Sequence, residues 1–85
     1  MYEIHPITKR AKKRLDEYLL IRGDIKDKLV RLKINPRREL GAHPLHGKLE
    51  GKWACWLGSN VRMIYFIDDE KRVIFSKFFH KNRLK

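Results

Sequence analysis

The chain of 85 residues has one cysteine, Cys55, and no long apolar segment. A single cysteine cannot form an intramolecular disulfide, and it leaves too few thiolates for a cysteine-rich zinc site. No apolar run approaches the ~20 residues that a membrane-spanning helix needs, and the N-terminus lacks the apolar core of a signal peptide. We therefore expect a cytoplasmic protein with no membrane partner.

Motifs for cofactors and for several enzyme classes are absent too. The sequence has no glycine-rich phosphate loop and no Ser-His-Asp pattern. His43 and His46 lie three residues apart, but no carboxylate or cysteine stands where it would complete a metal site. We expect no metal and no other cofactor. Metal-free acid–base chemistry stays open, because histidine moves protons near neutral pH and basic side chains bind phosphate.

Acidic residues are scarce relative to basic ones. The 21 Lys and Arg residues face ten Asp and Glu residues, which gives a formal net charge of +11. Such a charge attracts polyanions, whereas a surface built for solubility would intersperse both signs. This balance favours nucleic acid or the ribosome as a partner, and it is compatible with an acidic protein partner.

Two helices are predicted after a short first strand at residues 2–5. Thr8 is a suitable N-cap for a helix that runs to about Arg22. Its expected buried stripe is Ile7, Ala11, Leu15, Tyr18 and Leu19. Gly23 breaks this helix, and a second one ends before Asn35, so the two form an antiparallel hairpin. The basic residues at positions 9, 10 and 12–14 crowd the first turns of the first helix, either as a solvated face or as a partner-binding face.

Residues 36–51 show no periodicity and predict a long loop, which in a small domain is usually functional or mobile. Strands are predicted at residues 52–57, 61–67 and 72–79, and short turns join them into an antiparallel meander. We therefore predict one α+β domain over residues 1–85, with the helical hairpin packed on a small, mostly antiparallel sheet.

Three groups of residues are candidates for chemistry. His80 ends the last predicted strand, and Arg62 lies within an otherwise apolar strand, where an unpaired charge is costly. His43, Lys48 and Lys52 lie on the long loop or at its end. A two-residue loop before the last strand would put Arg62 and His80 on opposite faces, and a three-residue loop would put them on one face. We expect the shared face. A surface or packing role is the alternative for each histidine, and a cross-strand or partner ion pair is the alternative for Arg62.

Several motifs resemble one known family over nearly the whole chain. They are His43-Pro44-Leu45-x-Gly47, then Leu49-Glu50-Gly51-x-Trp53, then Val61-Arg62-Met63-Ile64-Tyr65, and a last strand that ends in His80. With the order strand, two helices, loop and meander, this pattern resembles the RelE/ParE superfamily of toxins from type II toxin–antitoxin systems. The RelE/YafQ branch of mRNA interferases is the most similar.

The resemblance implies a metal-free endoribonuclease that cuts messenger RNA in the ribosomal A site. A cognate antitoxin would neutralise it in a hetero-oligomer. His80 matches a histidine that donates or accepts a proton in that branch, and His43 matches the histidine of the loop motif. Arg62 matches an arginine that contacts the scissile phosphate. Lys48, Lys52, Lys81 and Arg83 fall where the family binds RNA with basic residues.

Three positions depart from the YafQ pattern. Trp56 and Asn60 stand where the resemblance would place a histidine and an aspartate, and Leu84 stands where it would place an aromatic. Trp53 and Trp56 either stack on bases or pack in the core. The alternatives to the nuclease are a ParE-like inhibitor of DNA gyrase, which would not depend on such a histidine–arginine set, and a non-catalytic RNA- or ribosome-binding protein.

Overall fold

Two helices pack against one face of a five-stranded sheet. The computed structural model describes residues 1–58 and 60–80. The helices are α1 (Lys9–Ile21) and α2 (Gly23–Ile34). The strands are β1 (Glu3–Pro6), β2 (His43–Pro44), β3 (Trp53–Trp56), β4 (Val61–Asp68) and β5 (Val73–His80). This architecture confirms the predicted α+β class.

The strands lie in the order β1-β5-β4-β3-β2. β3, β4 and β5 form the predicted antiparallel meander, and β2 adds to it antiparallel at one edge. β1 pairs parallel with β5, so the first and last strands are neighbours. Since three antiparallel pairings separate β2 from β5, β2 runs opposite to β1. No helix in the described part of the chain is long and apolar enough to cross a membrane.

The first helix begins where the sequence predicts. The Thr8 side chain accepts a hydrogen bond of 3.0 Å from the Ala11 amide, which satisfies one of the free N–H groups of the first turn. The helix ends at Ile21, and Arg22 leaves the helical region with φ −110° and ψ 85°. Gly23 is the first residue of α2. The break between the helices therefore falls one residue before the glycine.

The core lies between the helices and the inner face of the sheet. Ile25, Leu29 and Leu32 of α2 recur at spacings of four and three, and all are buried. They belong to one cluster with Met63 and Tyr65 of β4 and Ile74 and Phe78 of β5.

The predicted buried stripe of α1 is right only in part. Ala11 and Tyr18 are buried and Leu15 is partly buried, but Ile7 and Leu19 are 49% and 46% exposed. Ile7 precedes the helix and lines the other face of the sheet, and Leu19 lies about 100° around the helix from Tyr18.

The long loop at residues 36–51 contains more structure than its sequence indicates. Two short 3-10 turns, Glu39–Gly41 and Gly47–Leu49, flank β2. His43 pairs with Ala54 and Pro44 with Trp53, so the loop supplies a two-residue edge strand. Such a short strand leaves no periodic pattern from which it could be predicted.

The turn between β4 and β5 differs from the predicted one and changes the register. Asp68 pairs with Val73, so residues 69–72 form a four-residue loop where three were expected. As a result Arg62 pairs with Phe79, and His80 pairs with Val61. A shift of one residue moves every side chain of a strand to the other face. The prediction that Arg62 and His80 share a face is therefore wrong.

Distant residues hold this turn. Asp69 accepts two hydrogen bonds from Arg37, at 3.1 and 2.9 Å, and one of 2.6 Å from the Tyr2 hydroxyl. Together these bonds lower the pKa of Asp69 to about 2, and the bonds from Arg37 contribute the most. Neither partner is near Asp69 in the sequence. Within the turn, the Lys71 amide donates a hydrogen bond of 3.0 Å to the Asp68 carboxylate, and Arg72 has a positive φ of 59°.

Candidate nucleic-acid interface

The face of the sheet that carries no helix is called the open face here. Because side chains alternate between the two faces of a strand, every second residue of each strand lies on this face. Three of these residues, which pair directly across neighbouring strands, are called the register row. The row is Trp56, Arg62 and Phe79, which pair directly across β3, β4 and β5. The side chains beside it are His43, Ile64, Phe66, Phe75 and Lys77. Trp56, Phe66 and Phe79 remain nearly half exposed, so the open face presents aromatic rings to solvent between basic groups.

Arg62 lies at the centre of the register row. Its guanidinium carbon is 5.9 Å from the centroid of the Trp56 ring, a cation–π distance. Its Nε is buried and has no hydrogen-bond partner among the described residues. A cross-strand ion pair, one of the expected alternatives, is not found for Arg62 within residues 1–58 and 60–80. Arg62 is therefore a cation held beside an aromatic ring with unused hydrogen-bonding capacity.

An apolar groove of about 250 Å³ runs along the open face beside this row. Its lining side chains include Ile64, Phe66, Phe75 and Phe79, and Lys52 and Lys77 border it. Among the described residues no Asp or Glu lines the groove. It is smaller than the roughly 300–1,000 Å³ of a drug-sized site. Its shape and charge suit a flat ring attached to an anionic chain.

His43 lies on the open face at the edge strand β2 and is exposed. Its Nδ1 is 3.0 Å from the carbonyl oxygen of Gly41. A carbonyl oxygen only accepts, so Nδ1 carries the proton and Nε2 keeps its lone pair. Nε2 can therefore accept a proton or a hydrogen bond.

His80 lies on the helix side of the sheet, at the end of β5. Its Nε2 is 2.9 Å from the Tyr18 hydroxyl, and its Nδ1 contacts a guanidinium nitrogen of Arg14. A guanidinium only donates, so Nδ1 accepts and Nε2 donates to the Tyr18 oxygen. Burial raises the pKa of Tyr18, and this effect is larger than the lowering caused by the nearby Arg14. Both ring nitrogens of His80 are therefore bound to side chains of α1, on the face opposite Arg62.

The basic start of α1 borders a second cleft. Arg10, Lys13 and Arg14 surround it together with Glu17 and His80. Lys12, by contrast, is paired with Asp16 at 2.9 Å on the exposed side of the same helix. This helix-side cleft contains an acid and, apart from His80, no aromatic ring in its lining. It suits single-stranded nucleic acid less well than the open face does.

The remaining predicted RNA-binding residues divide into two groups. Lys48 is exposed in the 3-10 turn Gly47–Leu49, next to Leu49 of the groove lining. Lys81 and Arg83 lie outside the described residues.

Sequence reasoning missed several side chains of the open face. Lys77 interrupts the apolar strand β5 just as Arg62 interrupts β4, and this signal could have identified it. His5 pairs with Phe75 across β1 and β5 and makes an edge-to-face ring contact of 5.9 Å. Its position follows only from the parallel pairing of β1, which no local pattern indicates.

Two buried groups with shifted pKa values belong to the core. Burial raises the pKa of the Cys55 thiol to about 12, and it raises the pKa of Tyr65 as well. The Tyr65 hydroxyl donates a 2.6 Å hydrogen bond to the carbonyl oxygen of Pro36. Both groups stay protonated at neutral pH and support the sheet from its inner face.

Solved structures with the same fold are found among bacterial toxins. The isolated RelE toxin of E. coli superposes with a TM-score of 0.70 at 26% identity, over 100% of this chain and 89% of that one. The YoeB–YefM complex of Staphylococcus aureus gives a TM-score of 0.70 at 17% identity, over 94% and 98% of the two chains. This chain has the fold of the RelE/ParE toxins.

The RelE/ParE resemblance predicted from the motifs is thus confirmed. A histidine-to-glutamine variant of E. coli YafQ also matches, with a TM-score of 0.59 at 17% identity, over 94% of this chain and 93% of that one. No protein-family profile matches the sequence, and neither does any curated protein. The assignment to a RelE/ParE fold therefore rests on the structure and on the motifs.

Proposed function

We propose that this protein is the toxin of a type II toxin–antitoxin pair and that it cuts messenger RNA on the ribosome. The observation that carries the proposal is the open face, where Arg62, Lys52 and Lys77 surround aromatic side chains and an apolar groove. Basic groups that follow a backbone, combined with rings on which bases stack, are the usual elements of a site for single-stranded nucleic acid.

Metal-free cleavage of RNA needs three contributions. A base takes the proton of the 2′-hydroxyl, a cation stabilises the charge that builds at phosphorus, and an acid protonates the departing 5′-oxygen. In our proposal His43 is the base or orienting group through its free Nε2, and Arg62 binds the scissile phosphate. Lys52 and Lys77 hold neighbouring phosphates, with Lys48 beside them.

The assignment of His80 as the acid carries a further requirement. Its ring is bound to Tyr18 and Arg14 on the helix side, so it must leave both partners to reach a phosphate at Arg62. The same separation favours a second candidate function, a non-catalytic RNA- or ribosome-binding protein, because such a protein needs the basic open face and no acid.

The solved structures with this fold support the toxin role and an antitoxin partner. RelE is a toxin, and YoeB has been solved together with YefM as a toxin–antitoxin complex. The net charge of +11 suits both RNA and an acidic protein segment. We propose that the antitoxin covers part of this basic surface in a hetero-oligomer, either as a helix or as a strand added at the sheet edge.

Toeprinting of a defined messenger on programmed ribosomes tests the proposal. We expect the wild-type protein to cut in the A-site codon without added metal. Arg62→Ala and His43→Ala should lower cleavage by roughly 100-fold or more, the loss typical of removing a preorganised charge or a base. Arg38→Ala is the matched control, because Arg38 is exposed and its side chain has no hydrogen-bond partner among the described residues.

His80→Ala and Tyr18→Phe separate the catalytic role from the binding role. If His80 is the acid, its alanine variant loses cleavage, whereas Tyr18→Phe, which frees one ring nitrogen, keeps it. Intact messenger with the wild-type protein, at ribosome binding that remains tight, would establish the non-catalytic binder. Loss of DNA supercoiling in a gyrase assay would instead establish the gyrase inhibitor.

A further inference from the structure

The register row of the open face has an unusual composition. Trp56 is 47% exposed and Phe79 is 46% exposed, although large aromatic side chains in a small domain gain most by full burial. Trp53, three residues earlier, packs against the core from the inner face. Of the two tryptophans, Trp53 therefore has the expected core-packing role, and Trp56 lies outside the core.

Arg62 separates the two exposed rings of the row. Trp56 pairs with Arg62 across β3 and β4, and Arg62 pairs with Phe79 across β4 and β5. Neighbouring strands are about 4.8 Å apart, so the backbones of Trp56 and Phe79 lie about 10 Å from each other, with Arg62 on the strand between them. A phosphate bound at Arg62 would have an aromatic ring on either side.

We infer that Trp56 stacks on the unpaired nucleobase next to the phosphate bound by Arg62, which makes single-stranded RNA with a purine at this position the preferred substrate. This inference rests on the proposed function, because it uses Arg62 as the phosphate ligand. The Trp56 ring lies 5.9 Å from the Arg62 guanidinium carbon, within one nucleotide of it. Trp56 is 47% exposed, and a purine with its two fused rings covers more of an indole than a pyrimidine does.

The stacking surface also excludes paired RNA. In a helix the base faces are covered by their neighbours, and an A-form groove offers mainly phosphates and 2′-hydroxyls to a protein. The apolar groove beyond Phe79 has room for further unstacked bases, and Lys77 and Lys52 border it. Trp56 is thus a residue that determines specificity and positions the substrate, and Arg62 remains the group that binds the reacting phosphate.

Tryptophan fluorescence tests this inference without any cleavage. The chain has two tryptophans, so Trp53→Phe leaves Trp56 as the only one. The ligands are 2′-O-methylated oligoadenylate and oligouridylate of equal length, which cannot be cut by 2′-hydroxyl attack, and a closed hairpin stem. We expect oligoadenylate to quench Trp56 and to bind several-fold more tightly than oligouridylate, and the stem to cause no quenching.

Variants measured by fluorescence polarisation with labelled RNA complete the test. Trp56→Ala should weaken binding of oligoadenylate by about 5- to 100-fold and bring it close to oligouridylate, and Trp56→Phe should restore part of the difference. Leu20→Ala is the control, because Leu20 is 86% exposed on α1 and its loss should leave both affinities unchanged.

Failure of this inference differs from failure of the proposed function. Equal affinity of wild type and Trp56→Ala for oligoadenylate, with normal messenger cleavage by both, overturns the stacking role alone. Purine-dependent quenching by a protein that never cuts messenger RNA supports the stacking role and overturns the nuclease.

Discussion

Replacing Arg62 by methionine should stabilise the protein while it removes activity. Methionine reproduces the arginine side chain up to the position of Nε and ends there in a methyl group. The buried Nε has no partner among the described residues, and a buried unsatisfied donor costs about 1–3 kcal/mol. Loss of the cation–π contact with Trp56 costs about 0.5–1 kcal/mol, so the net gain is between about 0 and 2.5 kcal/mol.

Urea denaturation followed by tryptophan fluorescence measures this gain directly. For a domain of this size it corresponds to a rise in Tm of up to roughly 20 °C. Messenger cleavage by the same variant should fall by roughly 100-fold or more. Arg38→Met, which alters an exposed arginine, should change neither quantity. An Arg62→Met protein that is less stable than the wild type would refute the reasoning, since Arg62 would then support the fold.

Three further perturbations test the core, the turn and the groove. Tyr65→Phe should destabilise the protein by about 1–2 kcal/mol in urea, because the buried carbonyl oxygen of Pro36 loses its donor, and an unchanged midpoint would contradict this. Asp69 has a folded-state pKa of about 2, below its ordinary value, so it stabilises the fold above the unfolded-state pKa and loses this effect as the pH falls from about 4 to 2. Asp69→Asn should therefore show a flatter loss of stability over that range in acid-unfolding curves, and an identical slope would count against the Arg37 and Tyr2 contacts. Lys77→Ala should reduce the salt dependence of binding to single-stranded RNA by about 0.7 in the slope of log K against log salt, whereas Lys26→Ala on α2 should leave it unchanged.

Much of the fold could be predicted because its signals are local. The Thr8 cap, the spacing of apolar residues in α2 and the β-rich runs of the meander each act over a few residues, and each is confirmed. The edge strand β2 and the parallel pairing of β1 were not predicted, because both depend on contacts between distant parts of the chain.

The residues of the candidate site likewise divide into those with a local sequence signal and those whose position depends on distant contacts. Arg62 could be recognised from a charge in an apolar strand, and its lack of an ion pair among the described residues agrees with a binding role. The face of His80 was not predicted, because it depends on one residue of loop length in a turn where Asp69 binds the distant Tyr2 and Arg37. A loop one residue longer than predicted thus places His80 on the face of the sheet opposite Arg62.

The most direct test of the account compares the two faces of the sheet at equal change of charge. One variant carries Lys52→Ala and Lys77→Ala on the open face, and the other carries Lys13→Ala and Lys26→Ala on the helix side. Both lose two positive charges, so a general effect of net charge cancels. We expect cleavage of messenger RNA on programmed ribosomes to be lost in the open-face variant and to persist in the helix-side variant. Loss of cleavage in the helix-side variant, with normal cleavage by the open-face variant, would contradict it.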